Sequence, residues 1–318
     1  MTVRVRPFAE RDYVALARIR STGEQDPTTP ESARADDAAW DSRFEKVRLV
    51  GVDEEDAPLG YGEIYQEPAR FVPRRYFLRL AVDLRMRRRG VGASIWGALS
   101  EELRTRAALG IYAWARDNTA CAAFLARRGF VEVIRSYDQV RAVATAPLPT
   151  PADDERLVAK GIRIATLAEL MREDPRALEK TYELYYASRL DQPTLGRVTV
   201  IPFEKWREQF VDDADALLDS YFIAIDGEEY VGQTFGHRSS TEDVIGIGVT
   251  SVLPSHRRRG IARALKLRLH AYARAKGYRE IHTDTTRENK AMSTLNDELG
   301  YVIVESIAGY ELAIRTSP

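Results

Sequence analysis

The sequence predicts an α/β protein that carries two copies of one domain, and two observations lead to this prediction. A short signature occurs twice, as Arg-Arg-Arg-Gly-Val-Gly at 87–92 and as Arg-Arg-Arg-Gly-Ile-Ala at 257–262. Each copy begins five residues after a valine that ends a predicted strand, Val82 or Val252, and each opens a segment with the apolar periodicity of a helix. A repeated strand, turn and helix indicates a duplicated domain.

The spacing between the copies holds along most of the chain. Position 257 lies 170 residues after position 87. Other pairs at an offset of 170 or 171 are Gly62 with Gly232, Gly90 with Gly260, and Asn118 with Asn289. We therefore expect one domain at 1–143 and a second at 161–318. Between them, prolines at 147, 149 and 151 predict a stiff, extended linker at 144–160.

The first half opens with an alternating strand at 3–7, followed by a helix with Val14 and Ile19 on its apolar face. Runs of branched and aromatic residues then predict strands at 48–52, 59–66 and 76–82, ahead of the signature. After the signature, apolar residues at four-residue spacing predict a helix that Gly110 ends. The remaining predicted elements are a strand at 111–115, a helix at 118–128, and strands at 131–134 and 137–143.

The second half repeats this order of elements. The predicted strands lie at 162–164, 221–225, 230–236, 244–252, 280–284, 301–305 and 310–314. The predicted helices lie at 179–188 and 203–210, through Leu265 and Leu269 after the signature, and at 289–299. Both halves therefore place a run of strands before the signature and two strands after the last helix.

Composition excludes several classes of protein. The chain has 318 residues, of which 44% are hydrophobic and 30% charged, and its net charge is −1. No overall field therefore draws it to nucleic acid or to an anionic membrane. Cys121 is the single cysteine, which excludes an internal disulfide and a thiolate metal cluster. The four histidines lack metal-ligand spacing, and no apolar run resembles a signal peptide or a membrane span, so we expect a cytoplasmic protein without a metal.

The signature combines features that suit a phosphate group. The start of a helix offers backbone N–H groups without intrahelical partners and the positive end of the helix dipole. Glycine or alanine at positions 90, 92, 260 and 262 lets a pyrophosphate approach the backbone, and the arginines add charge. The alternative is a solvated basic turn. The occurrence of the signature at equivalent places in a repeat favours ligand binding over this alternative.

These residues resemble a tandem pair of N-acetyltransferase domains of the GNAT superfamily. The pattern of that family is a strand ending in Val-x-Pro, followed by Arg/Gln-x-x-Gly-x-Gly/Ala at the start of a helix. It stands here as Val252-Leu253-Pro254 before 257–262, and as Val82-Asp83-Leu84 before 87–92. A later segment of the second half also resembles the family through Thr283, Asn289, Met292, Asn296 and Leu299-Gly300-Tyr301. The resemblance covers nearly all of both halves.

The resemblance implies two α+β folds, each a mixed, mostly antiparallel twisted sheet whose central strands splay apart. Acetyl-CoA, the co-substrate, would lie in the opening. The cofactor-binding residues that it implies in the second half are Val252, Arg257, Arg258, Arg259, Gly260, Ile261, Ala262 and Asn289. In the first half they are Val82, Arg87, Arg88, Arg89, Gly90, Gly92 and Asn118. The amides of the turn would hold the pyrophosphate, while the valine and the asparagine would bind the pantetheine arm.

The implied reaction is transfer of the acetyl group to a primary amine of a small molecule or peptide by direct attack. A protonated amine has no lone pair, so a carboxylate usually takes its proton. Asp284 is the best placed carboxylate, and capping of the following turn is its alternative role. The family's tyrosine acid corresponds to Asn296 in the second half, which would line the pocket or satisfy backbone groups. In the first half it corresponds to core-like Leu125, so we expect only the second half to be catalytic.

Several alternatives stay open at this point. Glu63, which the offset pairs with Gln233, is expected at an edge or solvent-facing strand position, with a role as base or amine binder as the alternative. Tyr185, Tyr186 and Trp206 would wall an acceptor pocket or, for at least two of them, pack in the core. The rival function is a non-catalytic acyl-CoA-binding protein. The expected partner is the amine acceptor, without nucleic acid or membrane, and the chain would be a monomeric pseudo-dimer or a homodimer.

Overall fold

The computed structural model describes residues 2–21, 28–116, 119–213, 216–239 and 241–314. The strands are β1 (Arg4–Pro7), β2 (Lys46–Val52), β3 (Pro58–Tyr65), β4 (Arg75–Val82), β5 (Gly110–Arg116), β6 (Val131–Ala142), β7 (Ile162–Thr166), β8 (Phe222–Asp226), β9 (Glu229–Arg238), β10 (Val244–Val252), β11 (Glu280–Thr286) and β12 (Val302–Ala313). The helices are α1 (Tyr13–Arg20), α2 (Pro30–Ala38), α3 (Val91–Thr105), α4 (Thr119–Ala126), α5 (Pro151–Val158), α6 (Leu167–Glu173), α7 (Ala177–Leu190), α8 (Phe203–Phe210), α9 (Ile261–Ala275) and α10 (Lys290–Glu298).

The chain divides into two compact units. Unit 1 comprises 1–133, 195–199 and 308–318, and unit 2 comprises 134–194 and 200–307. Each unit therefore receives its last strand from the other half of the sequence, because β6 continues into unit 2 and β12 continues into unit 1. The halves 1–143 and 161–318 stay a prediction as independently folding domains.

Unit 1 has a mixed sheet in the order β1-β2-β3-β4-β5-β12. β4 and β5 are parallel, and the pairs from β1 to β4 are antiparallel. Apolar residues at four-residue spacing, Ile95, Leu99 and Leu103, place the buried face of α3 against this sheet. On the other face, Tyr13 and Leu16 of α1 pack with Tyr61. The sheet is thus covered by helices on both sides.

Unit 2 repeats this plan with the order β6-β11-β10-β9-β8-β7. β10 and β11 are parallel, and their other neighbours are antiparallel. Successive residues of β8 point to opposite faces. Ile223 packs in the cluster that holds Leu184 of α7, and Ala224 packs in the cluster that holds Leu265 of α9. Helices α7 and α9 therefore cover opposite faces, as the mixed fold implied by the family resemblance requires.

The structure corrects three expectations about local elements. The two closing strands predicted in each half are one long strand, β6 or β12. The pairing of β6 with β11 already begins at Ser136, inside the predicted break, and this pairing keeps the chain extended there. The predicted extended linker at 144–160 includes helix α5. Pro151 occupies its first turn, and Thr150 and Asp153 cap each other's backbone N–H groups. Helices α2 and α6 have no counterpart among the predicted elements.

The repeat also needs a correction in its register. The structure pairs Val82 with Gly60, and Val252 with Gly232, so Gly60 and not Gly62 is the equivalent of Gly232. A Cβ on either glycine would lie 3.2 or 3.1 Å from the first apolar side chain of the following helix, Val91 or Ile261. A constant offset mispairs these glycines because unit 1 has two more residues than unit 2 between the glycine and the valine that pairs with it. Glu63 is consequently equivalent to Phe235, and not to Gln233.

Candidate active site

The two central strands of each unit separate beside the repeated signature. In unit 2, β10 and β11 pair at Val244–Gly246 with Glu280–His282, and no further pair joins them among the described residues. In unit 1, β4 and β5 pair at Arg75–Leu78 with Gly110–Ala113 and then separate. This confirms the splayed central strands that the resemblance implied.

Residues 87–92 of unit 1 form the first cradle, and residues 257–262 of unit 2 form the second. Each cradle has two residues in the left-handed conformation, Arg88 (φ 63°) and Gly90 (φ 87°) in the first, and Arg258 (φ 59°) and Gly260 (φ 86°) in the second. The glycines are also the N-caps of α3 and α9. This backbone turns successive N–H groups toward one side of a helix start, which suits an anion.

The space around both cradle glycines fits a phosphate group. Apart from the adjacent backbone and chain neighbours, no heavy atom of the described chain lies within 4 Å of a Cβ placed on Gly90 or Gly260. A side chain at either position would therefore project into open space beside the helix start. The side chain of Ile261 packs into the core of unit 2, away from this open space. A ligand can therefore contact the backbone, and not the side chain, of Ile261, together with the backbone of Ala262.

The arginines of the cradles divide into two groups. Arg257 and Arg87 brace the turn, since their Nε atoms donate to the carbonyls of Val252 at 3.2 Å and Val82 at 3.3 Å. Arg259 is held by Asp226 and by the carbonyl of Lys160. By contrast, the exposed side chains of Arg258, Arg88 and Arg89 have no hydrogen-bond partner within the described parts of the chain. As ligands for pyrophosphate, all of these residues remain predictions.

The valines before the cradles direct backbone groups toward the opening. Leu253 donates its N–H to Val231 of the neighbouring strand at 2.9 Å. In an antiparallel pair this geometry turns the N–H and C=O of Val252 away from β9, toward the side on which β11 has separated. The N–H of Asp83 bonds to Leu59 in unit 1 and orients Val82 in the same way. The arginine brace occupies one lone pair of each carbonyl, and the N–H groups face the opening.

Asn289 is the N-cap of α10, and its Oδ1 accepts from the N–H of Met292 at 3.3 Å. A contact with pantetheine would therefore use its Nδ2, and that role stays a prediction. Asn118 lies outside the described residues. Gly92 sits beside Phe124, which lies 3.4 Å from a Cβ placed on that glycine.

The two residues predicted to be catalytic lie in different surroundings. Asp284 is exposed on β11, and its carboxylate accepts from Ser136 Oγ at 3.2 Å. Asn296 is fully buried, its Nδ2 donates to Gln139 Oε1 at 2.6 Å, and its Oδ1 has no partner among the described residues. Its side chain thus bonds another side chain, and a role of Asn296 in lining the pocket stays a prediction.

Three buried polar atoms without a partner lie on β11 and α10 of unit 2. They are Asn296 Oδ1 on α10 together with Thr285 Oγ1 and Thr286 Oγ1 on the part of β11 that has separated from β10. The corresponding elements of unit 1, β5 and α4, contribute no such atom within the described residues. Because unsatisfied buried groups are costly, each of these atoms is a candidate contact for a polar ligand, but Thr285 and Thr286 project to opposite faces of β11 and belong to different surroundings.

A buried lysine beside this region was not predicted. Lys266 of α9 is 1% exposed, and its Nζ lies 4.8 Å from the centre of the Tyr301 ring. Burial lowers the pKa of Lys266 to about 7, and the Asp284 carboxylate opposes this shift. The sequence carries one signal of this burial, because Lys266 lies between the apolar positions Leu265 and Leu269 of a helix. The prediction of that helix considered only its apolar residues.

Lys266 lies next to a histidine whose tautomer the contacts define. His270 Nδ1 is 3.0 Å from the carbonyl of Pro147, which can only accept, so Nδ1 carries the proton. Nε2 therefore accepts from the hydroxyl of Tyr301 at 2.8 Å. Burial lowers the pKa of His270 to about 4, so the ring stays neutral. The Tyr301 hydroxyl is thereby committed to a structural hydrogen bond.

Glu63 of unit 1 is buried and not solvent-facing, which corrects the expectation for this residue. Arg48 Nε and Arg79 Nη1 each donate to its carboxylate at 2.6 Å. Arg48 also donates to Asp37. Burial alone would raise the pKa of Asp37, but the hydrogen bonds that its carboxylate accepts from Arg48 and from other side chains lower that pKa to about 2. The arrangement is a saturated ion-pair network.

In unit 2, Tyr186 and Trp206 are buried in the core, as expected for at least two of the three aromatic residues.

Replacing Glu63 with alanine is expected to destabilise unit 1 by about 3–5 kcal/mol, because it leaves Arg48 and Arg79 without their shared anion. Urea unfolding followed by tryptophan fluorescence measures this change. The control is Glu67→Ala, a partly exposed residue near the end of β3. Equal stability of the two variants would contradict a structural role for the network, and acetyl-CoA binding to unit 2 is expected to be unchanged in both.

Two comparisons with known proteins agree with this geometry. The model of the acetyltransferase (GNAT) family matches residues 13–130 and 178–301. The chain belongs to the acetyltransferase (GNAT) family. At the level of the family, its activity is acyl-CoA-dependent N-acetyl transfer, and acetyl-CoA is the general co-substrate of GNAT proteins. No curated protein matches this GNAT chain significantly in sequence.

Solved structures of other GNAT proteins share the tandem fold. A GCN5-related N-acetyltransferase from Sphaerobacter thermophilus has a TM-score of 0.75 at 17% identity, covering 99% of this chain and 97% of the other. A tandem GNAT protein from the clavulanic acid biosynthesis pathway has a TM-score of 0.70 at 16% identity over 100% of both chains. At these identities the similarity shows the fold alone. No helix of the described residues is long and apolar enough to span a membrane, and no group of potential metal ligands is present in that part of the chain.

Proposed function

We propose that unit 2 binds acetyl-CoA and transfers the acetyl group to a primary amine of a small molecule or peptide by direct attack. The observation that carries this proposal is the second cradle, where two left-handed residues precede a helix beside separated parallel strands. The family membership of the chain supports the choice of acetyl-CoA among anionic ligands.

The residues of unit 2 would divide the binding of acetyl-CoA among them. The N–H groups of the second cradle and the exposed Arg258 would hold the pyrophosphate. The N–H of Val252 and the Nδ2 of Asn289 would bind the pantetheine arm, and the unsatisfied Oδ1 of Asn296 would accept from a polar group of the ligand. Asp284, exposed and negatively charged, would attract the cationic amine to the same opening.

Unit 1 is proposed to bind acyl-CoA without catalysing transfer. Its cradle has the same backbone conformation as the second cradle. However, Leu125 occupies the position of Asn296 and is buried in the apolar core. The segment 195–199 also covers the end of its paired strands, because a Cβ on Gly196 would lie 3.4 Å from Tyr112 and 3.5 Å from Phe77. An acceptor would therefore lack both polar groups and access there.

Calorimetric titration with acetyl-CoA, followed by measurement of CoA release with a panel of primary amines, tests the proposed function. We expect binding in the micromolar range and CoA release that depends on the amine. Absence of binding at millimolar acetyl-CoA would contradict the proposal. Binding without release on any amine would favour the rival function, a non-catalytic acyl-CoA-binding protein.

A further inference from the structure

A histidine of β9 lies over a glycine of β10 where the central strands of unit 2 separate. Gly246 pairs with His282 in the last parallel pair between β10 and β11, and with His237 on its other side. A Cβ placed on Gly246 would lie 2.3 Å from Nε2 and 2.4 Å from Cε1 of His237. The imidazole therefore occupies the space that any larger residue at position 246 would need.

His237 shares this face of the sheet with a carboxylate. Side chains alternate along a strand, so Asp284, two residues after His282, lies on the same face as the His237–Gly246–His282 row. His282 is itself engaged by Glu280, with Nε2 3.1 Å from Oε2. The His237 side chain is exposed and makes no hydrogen bond within the described parts of the chain.

The equivalent positions of unit 1 have a different character. The strand registers make Tyr65, Phe77 and Tyr112 the counterparts of His237, Gly246 and His282. These three rings form a stack, with centroid distances of 5.9 and 5.2 Å. Asp284 is likewise replaced by Trp114 at the offset of 170. One unit thus carries imidazoles and a carboxylate where the other carries only aromatic rings.

We propose that His237 is the general base of the acetyl transfer in unit 2, an inference that rests on the proposed function. Its imidazole takes one proton from the acceptor ammonium, and the Asp284 carboxylate stabilises the resulting imidazolium. The freed lone pair of the amine then forms a C–N bond to the acetyl carbonyl carbon while the C–S bond breaks. The second proton of the amine nitrogen ends on the departing sulfur as CoA thiol, and His237 releases its proton to solvent.

The surroundings of His237 support this role. Desolvation by the neighbouring protein lowers the pKa of His237 below its ordinary value, and Asp284 opposes that shift. The ring is therefore neutral, and able to accept a proton, near neutral pH. A base is most effective when its pKa lies near the working pH, which favours an imidazole over a solvated carboxylate.

The kinetic test compares two amines with the variants His237→Gln and His237→Ala. Butylamine is protonated at neutral pH and needs a base, whereas hydroxylamine is already neutral. We expect kcat/KM for butylamine to fall about 100- to 1,000-fold, and kcat/KM for hydroxylamine to change by less than about threefold. An equal loss with both amines would indicate a structural role and overturn the proposal, as would unchanged turnover of butylamine. Arg238→Ala, on the opposite face of β9, is the control and is expected to behave as wild type.

A second test requires no acceptor. The Cε1–H resonance of His237, assigned with His237→Gln, is followed by NMR as CoA is added. We expect saturating CoA to shift this resonance while that of His270 stays unchanged, and Asp284→Asn to lower the pKa of His237. In Gly90→Asp, where only unit 2 is expected to bind CoA, calorimetric binding without any shift of the His237 resonance would overturn the proposal but leave the proposed function intact. If the wild-type protein binds no CoA, the proposed function fails and the role of His237 falls with it.

Discussion

Replacing Gly260 with aspartate is expected to weaken acetyl-CoA binding to unit 2 by at least roughly 100-fold and to abolish CoA release. The side chain would project into open space at the start of α9 and place a carboxylate where the pyrophosphate would lie. Repulsion between like charges at about 4 Å amounts to about 3–4 kcal/mol or more in partly desolvated surroundings, which corresponds to this loss. Calorimetry and CoA release measure the two effects.

Two control variants separate charge from backbone strain. Gly277 also has a left-handed φ of 79° and open space around it, but it lies at the other end of α9. Gly277→Asp therefore carries the same strain and charge without facing the cradle, and should bind acetyl-CoA normally. Gly260→Ala introduces strain alone and should have an intermediate effect. Equal loss of binding in Gly260→Asp and Gly277→Asp would show that destabilisation explains the result.

Replacing Lys266 with methionine is expected to raise the free energy of unfolding of unit 2 by about 2–5 kcal/mol at pH 7. The pKa of this lysine is about 7 in the folded protein and near its ordinary value of 10.5 in the unfolded chain. A difference of this size corresponds to about 5 kcal/mol against folding, from which the loss of the contact with Tyr301 subtracts about 1 kcal/mol. Methionine has a similar shape and carries no proton.

The pH dependence gives this prediction a definite sign. Between pH 7 and 10.5 the unfolded chain holds a proton on Lys266 that the folded protein does not, so the stability of the wild type rises with pH over this range. Below pH 7 both states are protonated and the penalty is constant. Lys266→Met should lack this rise, as urea unfolding at pH 7 and pH 10 would reveal. The control, Lys276→Met, changes an exposed lysine at the C-terminal end of the same helix. Identical pH dependence in both variants would contradict a buried Lys266 with a lowered pKa.

Much of the fold could be predicted from the sequence because the repeated signature marks equivalent points in both units. The elements around it, such as β10, α3 and α9, follow from local periodicity and from glycine at the helix start. The long strands β6 and β12 could not be predicted in the same way. Whether a chain turns back near Ile134 or continues depends on pairing with distant strands, and no local residue decides it.

The candidate site was predictable only in part, and for a similar reason. The cradles follow from backbone requirements that glycine and arginine reveal in sequence. The position of His237 over Gly246 depends on the register of β9 against β10, which includes a bulge between Ile247 and Val249. Glu63 was paired with Gln233 instead of Phe235 because the two halves differ by two residues between β3 and the end of β4. Contacts that depend on register are therefore lost when only a constant offset is available.

Acetyl transfer by unit 2, and not by unit 1, can be tested with one variant in each cradle. The measurement is mass spectrometry of the acetylated amine that the Gly90→Asp and Gly260→Asp variants form from acetyl-CoA, using an amine that the wild type acetylates. We expect normal product formation by Gly90→Asp and no product from Gly260→Asp. Product from Gly260→Asp and none from Gly90→Asp would contradict this expectation.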